Sequence, residues 1–410
     1  MKATKLAAAT AAALLLHPQL SPAQELSPQF DRYRPLYPAM YFAGGYAQDE
    51  RDRAFDQSGH EQASATPSWG DTAFPERSEV AQFTWHFPLF ESYGVPLVST
   101  RTWMGRVTAR YAQLQTTGFL ADYVQAHGGS DPATEADDLT NSATGLGDTT
   151  FEFGSFFLGS ENWRTRTATP YSALLLVGAT VPTGIYQHEA PVTPGGNHLS
   201  FHAQLGGHWQ PWRGGFVDAG VGYRVHLVND EPQFGQLAPS KQGDDRFWDV
   251  SIAQRVVRGL YLEGFLTDRA GASNAYRNPT YAPNAPDAPP NTLLTTNRTY
   301  PTPGEYRDGG TALRTWGGSL QYFVTQRVLA GISYTLPLSG KSGEFDLPFS
   351  NRACGTGGGP GAGSCTIGEN GSAHEDGLGA ARSYASRRLM LTLRFNFGQG
   401  DAFTCTGCER

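Results

Sequence analysis

Charge is scarce in this chain of 410 residues: Asp, Glu, Lys and Arg together make up 17%, against roughly a quarter in ordinary soluble domains. Lysine is confined to Lys2, Lys5, Lys241 and Lys341, and the arginines form no basic stripe, which excludes nucleic-acid binding. Long apolar runs are missing too. Beyond residue 23 the longest is 173–181, interrupted by Gly178 and Thr180, whereas a membrane-spanning helix needs about 20 consecutive apolar residues. What the chain has instead is 49 Gly, 23 Phe, 18 Tyr and 8 Trp. That aromatic content argues against disorder, because such a chain has apolar surface to bury. The glycines show no period of three, so collagen is excluded. An all-β architecture rich in aromatics and turns remains.

The first residues read as an export signal spanning 1–23. Lys2 and Lys5 form a positive start, Leu6–Leu16 an apolar centre, and Ser21-Pro22-Ala23 a small-residue cleavage site. A buried N-terminal helix is the weaker reading, since the three regions occur in the order of a signal peptide. Cleavage removes two of the 31 basic residues and none of the 38 acidic ones, leaving the mature chain more acidic.

Apolar and polar residues alternate along much of the mature chain, the period of a strand with two different faces. In 198–209, Leu199, Phe201, Ala203, Leu205 and Trp209 alternate with His198, Ser200, His202, Gln204 and His208. The same alternation marks 217–227 and 389–397. About twelve segments pass this test: 38–48, 78–90, 100–117, 146–158, 171–182, 197–210, 215–228, 246–257, 259–268, 312–325, 327–338 and 386–398. The connections between them alternate long and short throughout. Outer-membrane barrels sort their loops in this way, with short periplasmic turns and long extracellular loops, while a soluble β-sandwich has no reason to.

The sequence therefore predicts a transmembrane, antiparallel, up-and-down β-barrel over 37–398 in a Gram-negative-type cell outer membrane. An N-terminal segment, 24–36, lies in the periplasm or plugs the barrel, and a tail, 399–410, follows. An even strand number puts both termini in the periplasm. Trp85, Trp103, Trp209, Tyr223, Trp248, Trp316 and Tyr334 are the candidate aromatic girdle.

Gly145-Leu146-Gly147-Asp148 opens one strand, and Val177-Gly178-Ala179-Thr180-Val181-Pro182-Thr183-Gly184 closes the next, with Gly-rich paired strands following through Gly222-Tyr223. This order, over about 145–228, resembles the outer-membrane transporter family associated with the meta-cleavage pathway of phenol degradation, with Val181 where that family usually has Leu. The resemblance implies a β-barrel passing small, aromatic or hydrophobic compounds, without cofactor. From the residues themselves, Gly147, Asp148, Pro182, Thr183 and Gly184 form a rim motif. Pro182 cannot donate to a sheet ladder and suits a strand end. Asp148 is expected to satisfy backbone N–H groups rather than bind solute. The last strand, ending Phe395-Asn396-Phe397, is similar to the signal read by barrel-assembly machinery, although thirteen residues follow it.

The inward parity collects Arg106, Arg110, Glu152, His198, His202, Gln204, His208, Asp218, Arg224, His226, Asp249, Arg255 and Arg394 as candidate lumen-lining residues, with Glu263 and Arg388 on the same parity. A water-lined passage is preferred to a lumen closed by Arg–carboxylate pairs, because a solute path needs many weak groups rather than one deep trap. His198 and His202, four residues apart on a strand, lie about 13 Å apart, too far to share a zinc ion. His198 and His226 can meet across the 211–214 turn, but two histidines make a thin metal site, and none is assigned.

Two alternatives compete with a channel. His198-Leu199-Ser200 resembles the His-x-Ser of outer-membrane phospholipase A, also a twelve-strand barrel, but Phe201-His202-Ala203 stand where that family has Asn-Gly-Arg. The third member of a triad is not identifiable, so no catalytic residue is assigned and no enzyme is expected. The other alternative is a surface-exposed structural or adhesion barrel. The topology separates the four cysteines by a membrane, so the expected disulfides are Cys354–Cys365 and Cys405–Cys408. The expected partners are outer-membrane lipids, a small-molecule solute and the assembly machinery.

Overall fold

The computed structural model describes Tyr33 and residues 40–55, 59, 61–62, 75–87, 102–115, 142–158, 171–186, 193–229, 241–273, 275–277, 305–307, 310–325, 327–341, 365–367, 373–375 and 383–397. Twelve staves form the barrel: β1 (Met40–Phe55), β2 (Glu76–Phe87), β3 (Thr102–Gln115), β4 in two pieces (Ser142–Leu146 and Thr149–Leu158), β5 (Tyr171–Val181), β6 (Ser200–Trp212), β7 (Gly215–His226), β8 (Asp245–Val257), β9 (Leu260–Gly271), β10 (Thr311–Thr325), β11 (Val328–Lys341) and β12 (Ser383–Asn396). Each pairs antiparallel with its sequence neighbours, and β12 closes on β1 from Tyr41↔Asn396 to Phe55↔Ser383. Closure leaves no unpaired sheet edge, the condition a bilayer imposes on strands.

The alternation sets the two faces. Along β2 every second residue is buried, from Glu76 through Ser78, Val80, Gln82 and Thr84 to His86. The residues between them, Phe83 and Trp85 among them, are exposed. β6 repeats this, with Ser200, His202, Gln204 and His208 buried and Phe201, Leu205 and Trp209 exposed. Polar groups inside and large apolar groups outside invert the order of a soluble protein. In water, each outward Leu, Phe or Val would forgo about 1.5–3 kcal/mol of burial; hydrocarbon around the barrel removes that penalty. Of the girdle candidates, Trp85, Trp209, Tyr223, Trp316 and Tyr334 are exposed, and Trp103 and Trp248 are half-buried.

Residues 56–75, 116–141, 182–199, 227–244, 272–310 and 342–382 join staves at one rim, and 88–101, 159–170, 213–214, 258–259 and 326–327 at the other. The tightest turns place Gly214 and Gly259 at φ of 76° and 78°, a left-handed region that glycine enters without steric cost. Besides the twelve staves, the described residues form short ladders: Glu61–Gln62 against β1, Ala275–Arg277 against Glu305–Arg307, and Cys365–Ile367 against Ala373–Glu375. The expected export signal, the 399–410 tail and both disulfides fall outside the described residues or side chains. Of 24–36, only Tyr33 is described. It lies inside the barrel, 1% exposed.

Candidate functional site

At the long-connection rim, β4 is broken at Gly147-Asp148. Above the break, Ser142–Leu146 pairs with β3; below it, Thr149↔Val181 opens the ladder to β5. The chain leaving β5 folds back over the gap. Asp148 Oδ1 accepts the Gly184 amide at 3.1 Å and Oδ2 the Gly196 amide at 2.8 Å. Thr183 Oγ1 accepts the Thr149 amide at 3.0 Å and donates to Thr149 Oγ1 at 2.8 Å. A Cβ on Gly184 would stand 2.7 Å from the Gly147 backbone, so the close approach requires glycine. Pro182 sits at the end of β5, where no ladder bond is asked of it. The rim motif ties two staves together, and Asp148 works through backbone amides.

Below the rim, the inward charges pair between staves. Arg106 holds Glu152 at two points, Nε–Oε2 2.5 Å and Nη2–Oε1 2.8 Å, and His202 Nε2 reaches Glu152 Oε1 at 3.1 Å. Arg110 binds Glu76 at 2.8 Å and the Pro194 carbonyl at 3.3 Å. Bidentate Arg–carboxylate contacts are strong and directional. These side chains are all buried, so at this level the inward charges are held in pairs between staves.

The histidines form two further groups. His198 Nε2 lies 2.8 Å from His226 Nδ1, and His198 Nδ1 lies 2.7 Å from the Gly196 carbonyl. His226 Nε2 meets Asp245 Oδ2 at 3.0 Å, and Asp245 also pairs with Arg269. Near the other rim, His208 Nδ1 meets Asp218 Oδ1 at 2.6 Å. Ser200 faces His226 in the β6–β7 register, but both nitrogens of His226 are engaged by His198 and Asp245, and those of His198 by Gly196 and His226. A serine nucleophile needs a base within hydrogen-bond reach, and neither ring is turned to that use.

Gln204, Arg224 and Asp249 are inward and buried. Arg255 and Arg394 are half-buried. The Arg255 amide bonds the Gly214 carbonyl at the short-turn rim, away from the His226 cluster, while Arg394 stands 5.3 Å over the Tyr41 ring. The lumen also contains apolar groups that the parity argument did not assign. Met104, Phe156, Leu174 and Leu176 pack with Tyr33, and Phe216, Ala253, Tyr261 and Leu329 pack with Phe323 near the short-turn rim. Tyr33 is the principal addition: its hydroxyl reaches Asp249 on β8 and Gln204 on β6, and its carbonyl accepts Ser172 Oγ on β5 at 2.7 Å.

Over its whole barrel the chain is similar to the COG4313 outer membrane channel from Pseudomonas putida F1, with a TM-score of 0.57, 13% identity, and coverage of 91% of this chain and 100% of that one. At that identity the likeness concerns the fold. A NanC porin covers 88% of this chain and all of its own, at 8% identity and a TM-score of 0.35. The translocator domain of autotransporter NalP from Neisseria meningitidis has the same TM-score and identity, covering 88% of each chain. Neither of these two adds to the fold assignment. No curated protein matches the chain. Residues 94–283 match the family described as "Putative MetA-pathway of phenol degradation", a span that contains the Gly145–Asp148 and Val177–Gly184 motifs and most of the paired lumen charges. Over that span the chain is similar to this family, and the closed barrel it shares with the Pseudomonas putida channel surrounds the matched residues.

Proposed function

We propose that the protein is a passive outer-membrane channel for small molecules, aromatic or hydrophobic ones among them, without catalysis or energy coupling. The observation that carries this reading is the inverted closed barrel: apolar side chains turned outward on every stave, and a polar interior of ion pairs such as Arg106–Glu152 and Arg110–Glu76. An outward apolar face fits lipid, and a polar interior fits a passage for solute. Short-range, mutually neutralised charges give a solute weak, repeated contacts.

The long connections are extracellular in this reading, and the short turns and both termini periplasmic. Outer-membrane lipids surround the girdle. The barrel-assembly machinery recognises β12, just beyond which the Phe397 amide is bonded to the Met40 carbonyl where the barrel closes. The test is solute flux into proteoliposomes holding the purified chain. Swelling in small sugars and uptake of small aromatics above protein-free vesicles support it; a folded, inserted barrel with flux equal to empty vesicles overturns it.

A further inference from the structure

We propose that the lumen contains a binding site for small phenols and that Tyr33 occupies it as a tethered stand-in for the ligand. Its biological use rests on the channel reading above; the site itself rests on the contacts of one side chain. The phenolic oxygen accepts Gln204 Nε2 at 2.5 Å, and its hydrogen goes to Asp249, with oxygens at 2.8 and 3.1 Å. The hydroxyl thus both accepts and donates, to groups on two different staves. The ring lies against Gly206 on β6 and Gly220 on β7, inward positions where a Cβ would fall on the ring or its hydroxyl. Neighbouring inward positions on those strands carry Gln204, His208 and Asp218. The sequence therefore clears side chains where the ring sits. Leu174, Leu176 and Phe156 supply an apolar wall.

An apolar slot with a few convergent polar groups is the usual make-up of a small-molecule site. Here the polar pair selects a class. Toluene would leave the Asp249 and Gln204 contacts to the hydroxyl unmade, which a site built for a hydroxyl penalises. Benzoate would set a carboxylate against Asp249. A neutral phenol satisfies both. Tyr33 lies outside the staves, with β1 beginning at Met40, so the ring in the slot is a covalent part of the same chain. A tethered group competes at a local concentration on the order of millimolar, and a free phenol must displace it.

The test is calorimetric titration of the purified full chain in detergent with 4-methylphenol, the tyrosine side chain as a free molecule, and with toluene. Tyr33→Ala is expected to bind 4-methylphenol at least tenfold more tightly than the unaltered chain and at least tenfold more tightly than it binds toluene. Adding Asp249→Asn to Tyr33→Ala should reverse most of that gain. Equal affinity for 4-methylphenol and toluene, or indifference to Asp249→Asn, overturns the site. If Tyr33→Ala folds poorly, its refolding yield should rise with 4-methylphenol and not with toluene; equal yields overturn the site as well. A chain that prefers 4-methylphenol yet gives no flux keeps the site and loses the channel. A chain with flux and no such preference keeps the channel and loses the site.

Discussion

Arg106 on β3 grips both carboxylate oxygens of Glu152 on β4, at 2.5 and 2.8 Å, with each side chain 7% exposed. His202 on β6 closes on the same carboxylate across the glycine of β5, Gly178, where a Cβ would stand 2.6 Å from the His202 ring nitrogen and 2.8 Å from Glu152. One carboxylate thus binds three staves through two basic partners. Removing one member of a buried pair leaves the other charged and unsolvated, which costs far more than replacing both. Arg106→Ala should destabilise the barrel by about 3–5 kcal/mol, and Arg106→Met with Glu152→Leu by much less. Urea unfolding in lipid vesicles, followed by tryptophan fluorescence, measures both.

Asp148 predicts a smaller and different loss. Its two oxygens accept the Gly184 and Gly196 amides, and Asp148→Ala leaves both donors without that acceptor. A buried donor so stranded costs about 1–3 kcal/mol. Asp148→Asn keeps one carbonyl oxygen and should fall between. Thermal unfolding in detergent ranks the three proteins. Permeability to small solutes should stay unchanged, because Asp148 acts on the rim's backbone.

The two faces of β6 give a third prediction. Leu205 points outward, 48% exposed, between Phe201 and Trp209. Leu205→Arg places a charge against hydrocarbon and should cost about 2–4 kcal/mol near the bilayer midplane. The outward aromatic Trp209, nearer the short-turn rim, should tolerate Trp209→Arg better, because the penalty falls toward the interface. Folding yield into vesicles of graded thickness reads the difference, which should widen as the bilayer thickens.

Parity made most of this barrel legible. One alternation placed Ser200, His202, Gln204 and His208 inside and Leu205 and Trp209 outside. The meeting of His198 and His226 followed from their near-symmetric positions about one tight turn. What escaped lies where alternation is silent. Glu76, Asp245 and Arg269 stand one or two residues beyond the strand limits expected from sequence, yet each holds an ion pair. β5 is apolar on both faces, so Leu174 and Leu176 could not be told from Leu175 and Val177 by pattern. Tyr33 carries no periodic signal at all. It precedes the first stave, and its partner Asp249 is 216 residues away, a contact that only the closed barrel brings about.

Single-channel current in planar bilayers, comparing the unaltered chain with Tyr33→Ala, tests most directly whether a solute passage runs through this lumen past the Tyr33 slot. The expected result is a small current for the unaltered chain and a severalfold larger one for Tyr33→Ala, reduced again by millimolar 4-methylphenol. Two folded, inserted proteins that both carry no current above the bare bilayer would contradict it.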